Sequence, residues 1–301
     1  ALREEGIALS SIDAVVGRGG LVKPIPSGVY EINDALIRDL QNAPLGEHAS
    51  NLGGLIAQDL VGQIGGGARA FIADPVVVDE LQDVARVTGH PEIPRISIFH
   101  ALNHKAVARM YAKSVGKKYE ELNLIVVHMG GGVSVAAHEK GQVIDVNNAL
   151  YGEGPFSPER VGTLPVRQVV DLCFSGKYTH DELKKQIAGK GGVVALLGTN
   201  DMRDVRKMAE EGNDKAQLIM DAMGYTTAKE IGAMAVVLNG RVDAILLTGG
   251  IIHGETTREY IKERVQWIAP VAFYPGEDEM HALAMNGLSV LSGEVEPKVY
   301  A

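Results

Sequence analysis

Residues 123–148 read NLIVVHMGGGVSVAAHEKGQVIDVNN, in which the apolar stretches LIVVHM, VSVAAHE and QVIDVN are joined by glycine-rich turns. Short apolar runs bounded by glycine predict strands. Connections this short leave no room for a crossover, so the three are expected to form an antiparallel meander. The triple glycine Gly130–Gly132 is conformationally costly. Two readings explain it. Backbone N–H groups without shielding side chains can converge on an anion such as phosphate, or a tight hairpin requires positive φ. Three glycines exceed the need of one turn, and the polar His128 and Asp145 on the flanking strands favour a ligand, but both readings stand.

On either side of this meander, strands alternate with helices. Upstream, apolar spacing and turn residues predict a strand at Asp13–Val16, a loop rich in glycine and proline, and helices at Asn33–Gln41 and His48–Ile64. A strand ARAFIAD follows, then a short helix from about Asp79, an extended PRISIF and an amphipathic helix at Leu102–Val115. Downstream, helices fill Pro165–Asn239, including a long one from about Asp214. The strand VDAILLTGG then leads into a helix at Glu255–Trp267, and the strand VAFYP into a last helix at Asp278–Leu291. The class is α/β, without a solenoid period or low-complexity tract.

Length and composition bound the function. A chain of 301 residues, 46% hydrophobic, with mean hydropathy +0.03, has the length of about two domains. A formal net charge of -9 with no long basic run argues against nucleic acid or an anionic membrane as main partner, so any anionic ligand must be held by local groups. The single cysteine, Cys173, rules out an internal disulfide framework and reads as a buried bystander in a reducing compartment. No run of eighteen apolar residues and no secretory leader is evident, so the cytoplasm is expected.

Several residues could carry chemistry. In LLTGGIIHG, Gly249 and Gly250 stand between a strand and a helix, where the positive end of the helix could face a nucleotide, although the same pattern also serves close packing. Neither glycine site matches a P-loop or a dinucleotide fingerprint. Arg18 in VVGRGGLV and Arg160 in GPFSPERVGTLP are expected in turns directly after strands, where a planar guanidinium can grip carboxylate or phosphate oxygens. His100 and His104 have the spacing of metal ligands on one helical face, but no glutamate follows the first in zinc-protease fashion. His100 is the better candidate for a cleft, with His104 supporting it. Asp74 closes a strand before a proline, so its carboxylate should project from the strand end, where α/β proteins hold ligands. Glu277, Asp278 and Glu279 form a helix N-terminal acid cluster or contribute one ligand to Mg²⁺.

In order and rough spacing, GRGG, ADPV, FHALNHKAVAR, HMGGG, SPERVGTLP, GTNDMRD and LTGGI resemble the acetate and butyrate kinase family, through nearly the whole chain. The resemblance implies an actin-like, ribonuclease H-like two-domain ATPase fold with a cleft between the domains. It implies a first domain at 1–93 plus 280–301, a second, nucleotide-binding domain at 94–279, and hinges near 93–99 and 276–280. The activity implied is reversible, Mg²⁺-dependent phosphoryl transfer between ATP and a short or branched-chain carboxylate, giving an acyl phosphate and ADP. The chain resembles the butyrate branch more than the acetate branch, because Gly131 stands where acetate kinases carry Asn and because the segment after Arg18 is less bulky.

By the same resemblance, Arg18 and Arg160 bind the carboxylate and the transferring phosphoryl group, His100 hydrogen-bonds that group, and Asp74 orients the metal side of the cleft. Glu279 corresponds approximately to a Mg²⁺-associated glutamate. His128 and Gly130, Gly131 and Gly132 line the nucleotide phosphates, while Asp201, Arg203, Gly249, Gly250 and Ile251 hold ribose and adenine. A homo-oligomer, dimer or higher, is expected. The family begins with a strand and a phosphate-contacting turn for which no counterpart precedes IDAVVG, so the first domain is expected to be incomplete. Two other readings stay open, an actin-like nucleotide switch without acyl transfer and an inactive fragment.

Overall fold

The computed structural model describes residues 4–46 and 49–301. The chain begins with β1 (Ala14–Arg18), β2 (Val29–Glu31), α1 (Asp34–Asn42), α2 (Asn51–Ile64), β3 (Arg69–Ala73) and α3 (Asp83–Arg86). There follow α4 (Ala101–Ser114), β4 (Asn123–Met129), β5 (Val133–Glu139), β6 (Gln142–Val146), α5 (Val166–Cys173), α6 (His180–Ile187), α7 (Val193–Leu197) and α8 (Met202–Glu210). The last elements are α9 (Asp214–Val237), β7 (Ala244–Gly249), α10 (Glu255–Val265), β8 (Val271–Pro275), α11 (Glu279–Leu291) and β9 (Lys298–Val299). Contacts divide the chain into a first unit of Ala1–Asp79, His100–Ala106 and Asp278–Ala301, and a second of Glu80–Phe99 and Val107–Glu277. This partition gives 80–93 to the second unit and 100–106 to the first, unlike the boundaries at 93 and 279 expected from sequence.

The second unit is built on a five-stranded sheet of order β6-β5-β4-β7-β8. The meander is its antiparallel half, and β4, β7 and β8 run parallel. Parallel neighbours need a crossover, which α10 supplies between β7 and β8. All seven residues of β4 are buried. Its alternating side chains explain this. Ile125, Val127 and Met129 face a core with Ile219, Met223 and Ile231 of α9, whereas Leu124 and Val126 meet Val107, Ala108 and Ala112 of α4. A strand covered on both faces reads as a continuous apolar run, which is why LIVVHM lacks polar alternation. Each fully buried aliphatic side chain here contributes about 1.5–3 kcal/mol.

The first unit holds a four-stranded sheet of order β1-β3-β2-β9. β1 pairs parallel with β3 through Arg18↔Ala73, two residues beyond the predicted end at Val16. Gly17 is therefore not a stop. A Cβ on Gly17 would collide with the carbonyl of Gly53, and one on Gly53 would lie 2.5 Å from the Arg18 carbonyl oxygen, so strand and helix α2 touch backbone to backbone. Beneath the sheet, Val29, Phe71, Ala73, Leu102, Leu283 and Val290 form a core.

Other expectations need correction. PRISIF forms no strand. Pro91 and Pro94 remove ladder donors, and Arg95 spends its guanidinium on the Ala85 and Val146 carbonyls and on Asp145. The helix expected from Asp79 starts at Asp83, because the Asp79 amide donates to the Ile25 carbonyl at 2.9 Å. His48, the expected start of the second helix, lies outside the described residues. Cys173 is exposed, as α5 buries none of its residues. Among the described residues no helix is long and apolar enough to cross a membrane.

Candidate active site

Four of the residues singled out from sequence converge on one small cleft of the first unit. Arg18 is the last residue of β1, Asp74 follows β3, His100 precedes α4, and Glu279 opens α11; all line the cleft together with Gly19 and Pro75. Its cavity volume is about 10 Å³, room for roughly one water. Arg18 Nη1 lies 3.1 Å from Glu279 Oε2, so the expected anion-binding and metal-binding groups neutralise each other. Asp74 is buried with φ at 38°, the left-handed region that aspartate tolerates better than most residues. Its Oδ1 accepts from Ser27 Oγ at 2.6 Å and from the Gly28 amide at 2.8 Å. Those bonds fix the carboxylate at the strand end. Asp74 and Glu279 are hard oxygen donors of the kind Mg²⁺ takes, one or two carboxylates with phosphates supplying the rest. Among the described residues no three His, Cys, Asp or Glu side chains gather as a metal cluster. His104 is fully buried, and its amide donates to the His100 carbonyl at 3.0 Å.

A larger pocket, about 610 Å³, lies in the second unit and is lined by Gly130, Gly131, Asp201, Arg203, Gly250 and Ile251 from the sequence candidates. A volume of about 300–1,000 Å³ suits a small-molecule ligand. The glycine turn has a physical reason that the sequence left open. None of Gly130, Gly131 and Gly132 has positive φ. What they provide is close approach. A Cβ on Gly130 would lie 2.8 Å from Glu277 Oε1, and one on Gly132 would collide with Arg160 Nη1, whereas Gly131 meets nothing nearer than Glu159 Oε2 at 3.6 Å. The turn therefore seats the Arg160 guanidinium, which also donates to the Ala149 carbonyl at 2.9 Å. Burial lowers the pKa of Arg160, against the opposing charge of Glu159.

His128, Gly132 and Gly249 do not line this pocket. His128 is buried with Nε2 3.1 Å from Glu277 Oε1, and Gly249, at φ 96°, lets β7 approach the Met129 backbone. Asp201 caps α8 by accepting from the Arg203 amide, and its carboxylate grips the Arg203 side chain at 2.6 Å. That grip, with the backbone bond, holds Asp201 down to about 2. Glu159, Asn200, Arg206, His253 and Glu277 also line the pocket without having been assigned to it from sequence. Glu277 stood in the acid cluster read as a helix start. Asn200 lies inside the quoted GTNDMRD, and Arg206 reads as an ordinary helix-surface charge.

The sequence model of the Acetokinase family matches residues 93–294. The chain is 56% identical over 299 residues to Butyrate kinase 2 of Clostridium acetobutylicum, covering 99% of this chain and 83% of that protein. It is 58% identical, with the same coverage, to the Probable butyrate kinase of Phocaeicola vulgatus. Its fold is similar to the crystal structure of Porphyromonas gingivalis acetate kinase, with TM-score 0.83 at 22% identity, covering 94% of this chain and 79% of that one. At that identity the likeness shows the fold alone, an α/β architecture with two sheets.

Proposed function

Since the chain belongs to the acetokinase family and is a carboxylate phosphotransferase, we propose that it transfers the γ-phosphoryl group of ATP to butyrate, reversibly and by direct in-line displacement with Mg²⁺. A carboxylate oxygen forms the new bond to phosphorus as the bond to the β,γ-bridging oxygen breaks, leaving butyryl phosphate and ADP. No proton has to move. The attacking carboxylate is already ionised near neutral pH, so a general base has no task. The barrier is repulsion between two anions, and fixed positive charge and positioning lower it.

In this reading Arg18 exchanges Glu279 for the substrate carboxylate, and His100 donates to the phosphoryl group. The Arg160 guanidinium, seated on Gly132, supplies positive charge for the transferring phosphoryl group. Magnesium, when bound, offsets charge on the phosphate oxygens, and Asp74 and Glu279 are the side chains that would hold it. Gly130, Gly131, Asp201, Arg203, Gly250 and Ile251 form the nucleotide pocket.

The observation that carries the reading is the convergence of Arg18, Asp74, His100 and Glu279, far apart in sequence, on one cleft. Butyrate rather than acetate is supported by the 56% identity to Butyrate kinase 2 and by Gly131. The reading includes a cytoplasmic homo-oligomer; a monomer in sedimentation equilibrium removes that part.

Hydroxylamine traps acyl phosphates as hydroxamates and supplies the test. Incubation with ATP, Mg²⁺ and butyrate is expected to give butyryl hydroxamate in step with ADP. ADP release without hydroxamate would instead mark a nucleotide switch. Stereochemical inversion at a chiral γ-phosphorus is expected, and retention would replace direct transfer with a phosphoenzyme.

A further inference from the structure

Charge in the pocket of the second unit is unevenly satisfied. Its lining carries the carboxylates of Glu159, Asp201 and Glu277 against the guanidinium groups of Arg203 and Arg206. Most of these have local partners. Glu159 accepts from Asn200 Nδ2 at 2.6 Å, Glu277 meets His128 at 3.1 Å, and Asp201 holds Arg203 at 2.6 Å. Among these five charged groups, Arg206 is the one for which the described residues provide no hydrogen bond or ion pair.

Its placement is specific. Arg206 is half-buried one turn after the buried Met202, which lines the same pocket, so both occupy one face of α8. The guanidinium passes over Gly254, with Nη2 3.2 Å from where a Cβ would stand, so a larger residue at 254 would crowd it. A cation that has lost part of its water and gained no counter-charge is costly. An incoming anion would remove that cost.

We propose that Arg206 binds the phosphate chain of the nucleotide and supplies the pocket's uncommitted positive charge. The proposal rests on the reading of this pocket as the nucleotide site. Arg203, assigned to the nucleotide by resemblance, is already neutralised by Asp201. Without Arg206 the lining would repel a polyphosphate through three carboxylates opposed by one guanidinium.

Calorimetric titration of the full chain with ADP and with adenosine tests this. R206Q is expected to weaken ADP binding by about tenfold to a hundredfold, the worth of a lost hydrogen bond to a charged group. Adenosine binding should be unchanged, R206K should recover part of the loss, and the thermal midpoint of neither variant should fall below that of the wild type. R206Q that binds ADP like the wild type overturns the proposal, as does equal loss of ADP and adenosine, which would move the contact to the base or ribose. Should R206Q fail to fold, R206K decides, since a compact ammonium keeps the charge without the bidentate fork; undiminished ADP affinity together with no salt dependence of that affinity overturns the assignment. Wild-type protein that binds no ADP takes down the nucleotide reading itself, a distinct result.

Discussion

Alanine at Gly131 and at Gly132 meets two different surroundings, although the residues are neighbours in one turn. At Gly132 the added methyl occupies the space of Arg160 Nη1, so the guanidinium must leave its seat. At Gly131 it enters ordinary van der Waals contact. Gly132→Ala is therefore expected to lower kcat by about a hundredfold, the scale of an ångström-sized displacement of a reacting group. Gly131→Ala should stay within a few-fold. The hydroxamate assay, with circular dichroism as a check on folding, distinguishes them, and equal losses would contradict the role given to Arg160. Arg18→Ala separates catalysis from stability in a similar way. Its pair with Glu279 is partly exposed, and such pairs are worth about 0–1 kcal/mol. Turnover should drop by about 10²–10³, the cost of losing one charge-stabilising donor, while the denaturation midpoint barely moves. A fall in both together would make Arg18 structural. At this scale the sequence drew attention to residues beside glycine and proline, such as Arg18, Asp74 and Gly130, although Arg18, expected in a turn, is the last residue of β1. The sequence singled out nothing for Arg206 and read Glu277 only within a helix-start acid cluster or as a metal ligand, because what lies opposite these side chains in space is encoded by no local pattern.

Elements were legible where apolar period and punctuation agreed. Asn33 and Asn213 cap α1 and α9 by accepting from Leu36 and Ala216, and both helices start next to where the sequence places them. Failures occurred where tertiary partners overrode local signals. Gly17 resembled a strand end but serves the contact between β1 and α2, and the two residues of β9 are too short to show a period. The β1–α2 contact is testable. Gly53→Ala would place a methyl 2.5 Å from the Arg18 carbonyl oxygen, an overpacking expected to cost about 1–3 kcal/mol. Urea unfolding should show the loss, and an unchanged midpoint would mean that the helix shifts freely. On α9, Glu230 has its pKa raised by burial, opposed by Arg95 and reinforced by Asp145 and Glu153. The folded state thus holds a proton that the unfolded chain releases above about 4.3. Stability attributable to this group is present below that value and is lost as pH rises through the raised folded pKa. Glu230→Gln should therefore unfold later than wild type near neutral pH, with the difference vanishing in acid. The opposite ordering at neutral pH would show that Arg95 dominates.

For the whole molecule, the two candidate ligand regions differ in volume. The second-unit pocket holds about 610 Å³, whereas the first-unit cleft holds about 10 Å³ with the Arg18–Glu279 pair on its lining. The family resemblance pointed to residues of both regions, but volumes and ion pairs lie beyond any motif. Hydrogen exchange follows from the difference. ADP should slow exchange most at 130–132, 200–206 and 250–254, as ligand binding to the native state suppresses local opening. Butyrate should act most at 17–20, 73–75 and 100–102, and more weakly per ligand bound, because part of its binding energy goes into separating the Arg18–Glu279 pair. Glu279→Gln weakens that pair, so it should strengthen butyrate protection at 17–20 in Mg²⁺-free solution. Unchanged or weaker protection in that variant would mean that the ion pair does not oppose butyrate binding, and Arg18 would then have to reach the substrate without giving up Glu279.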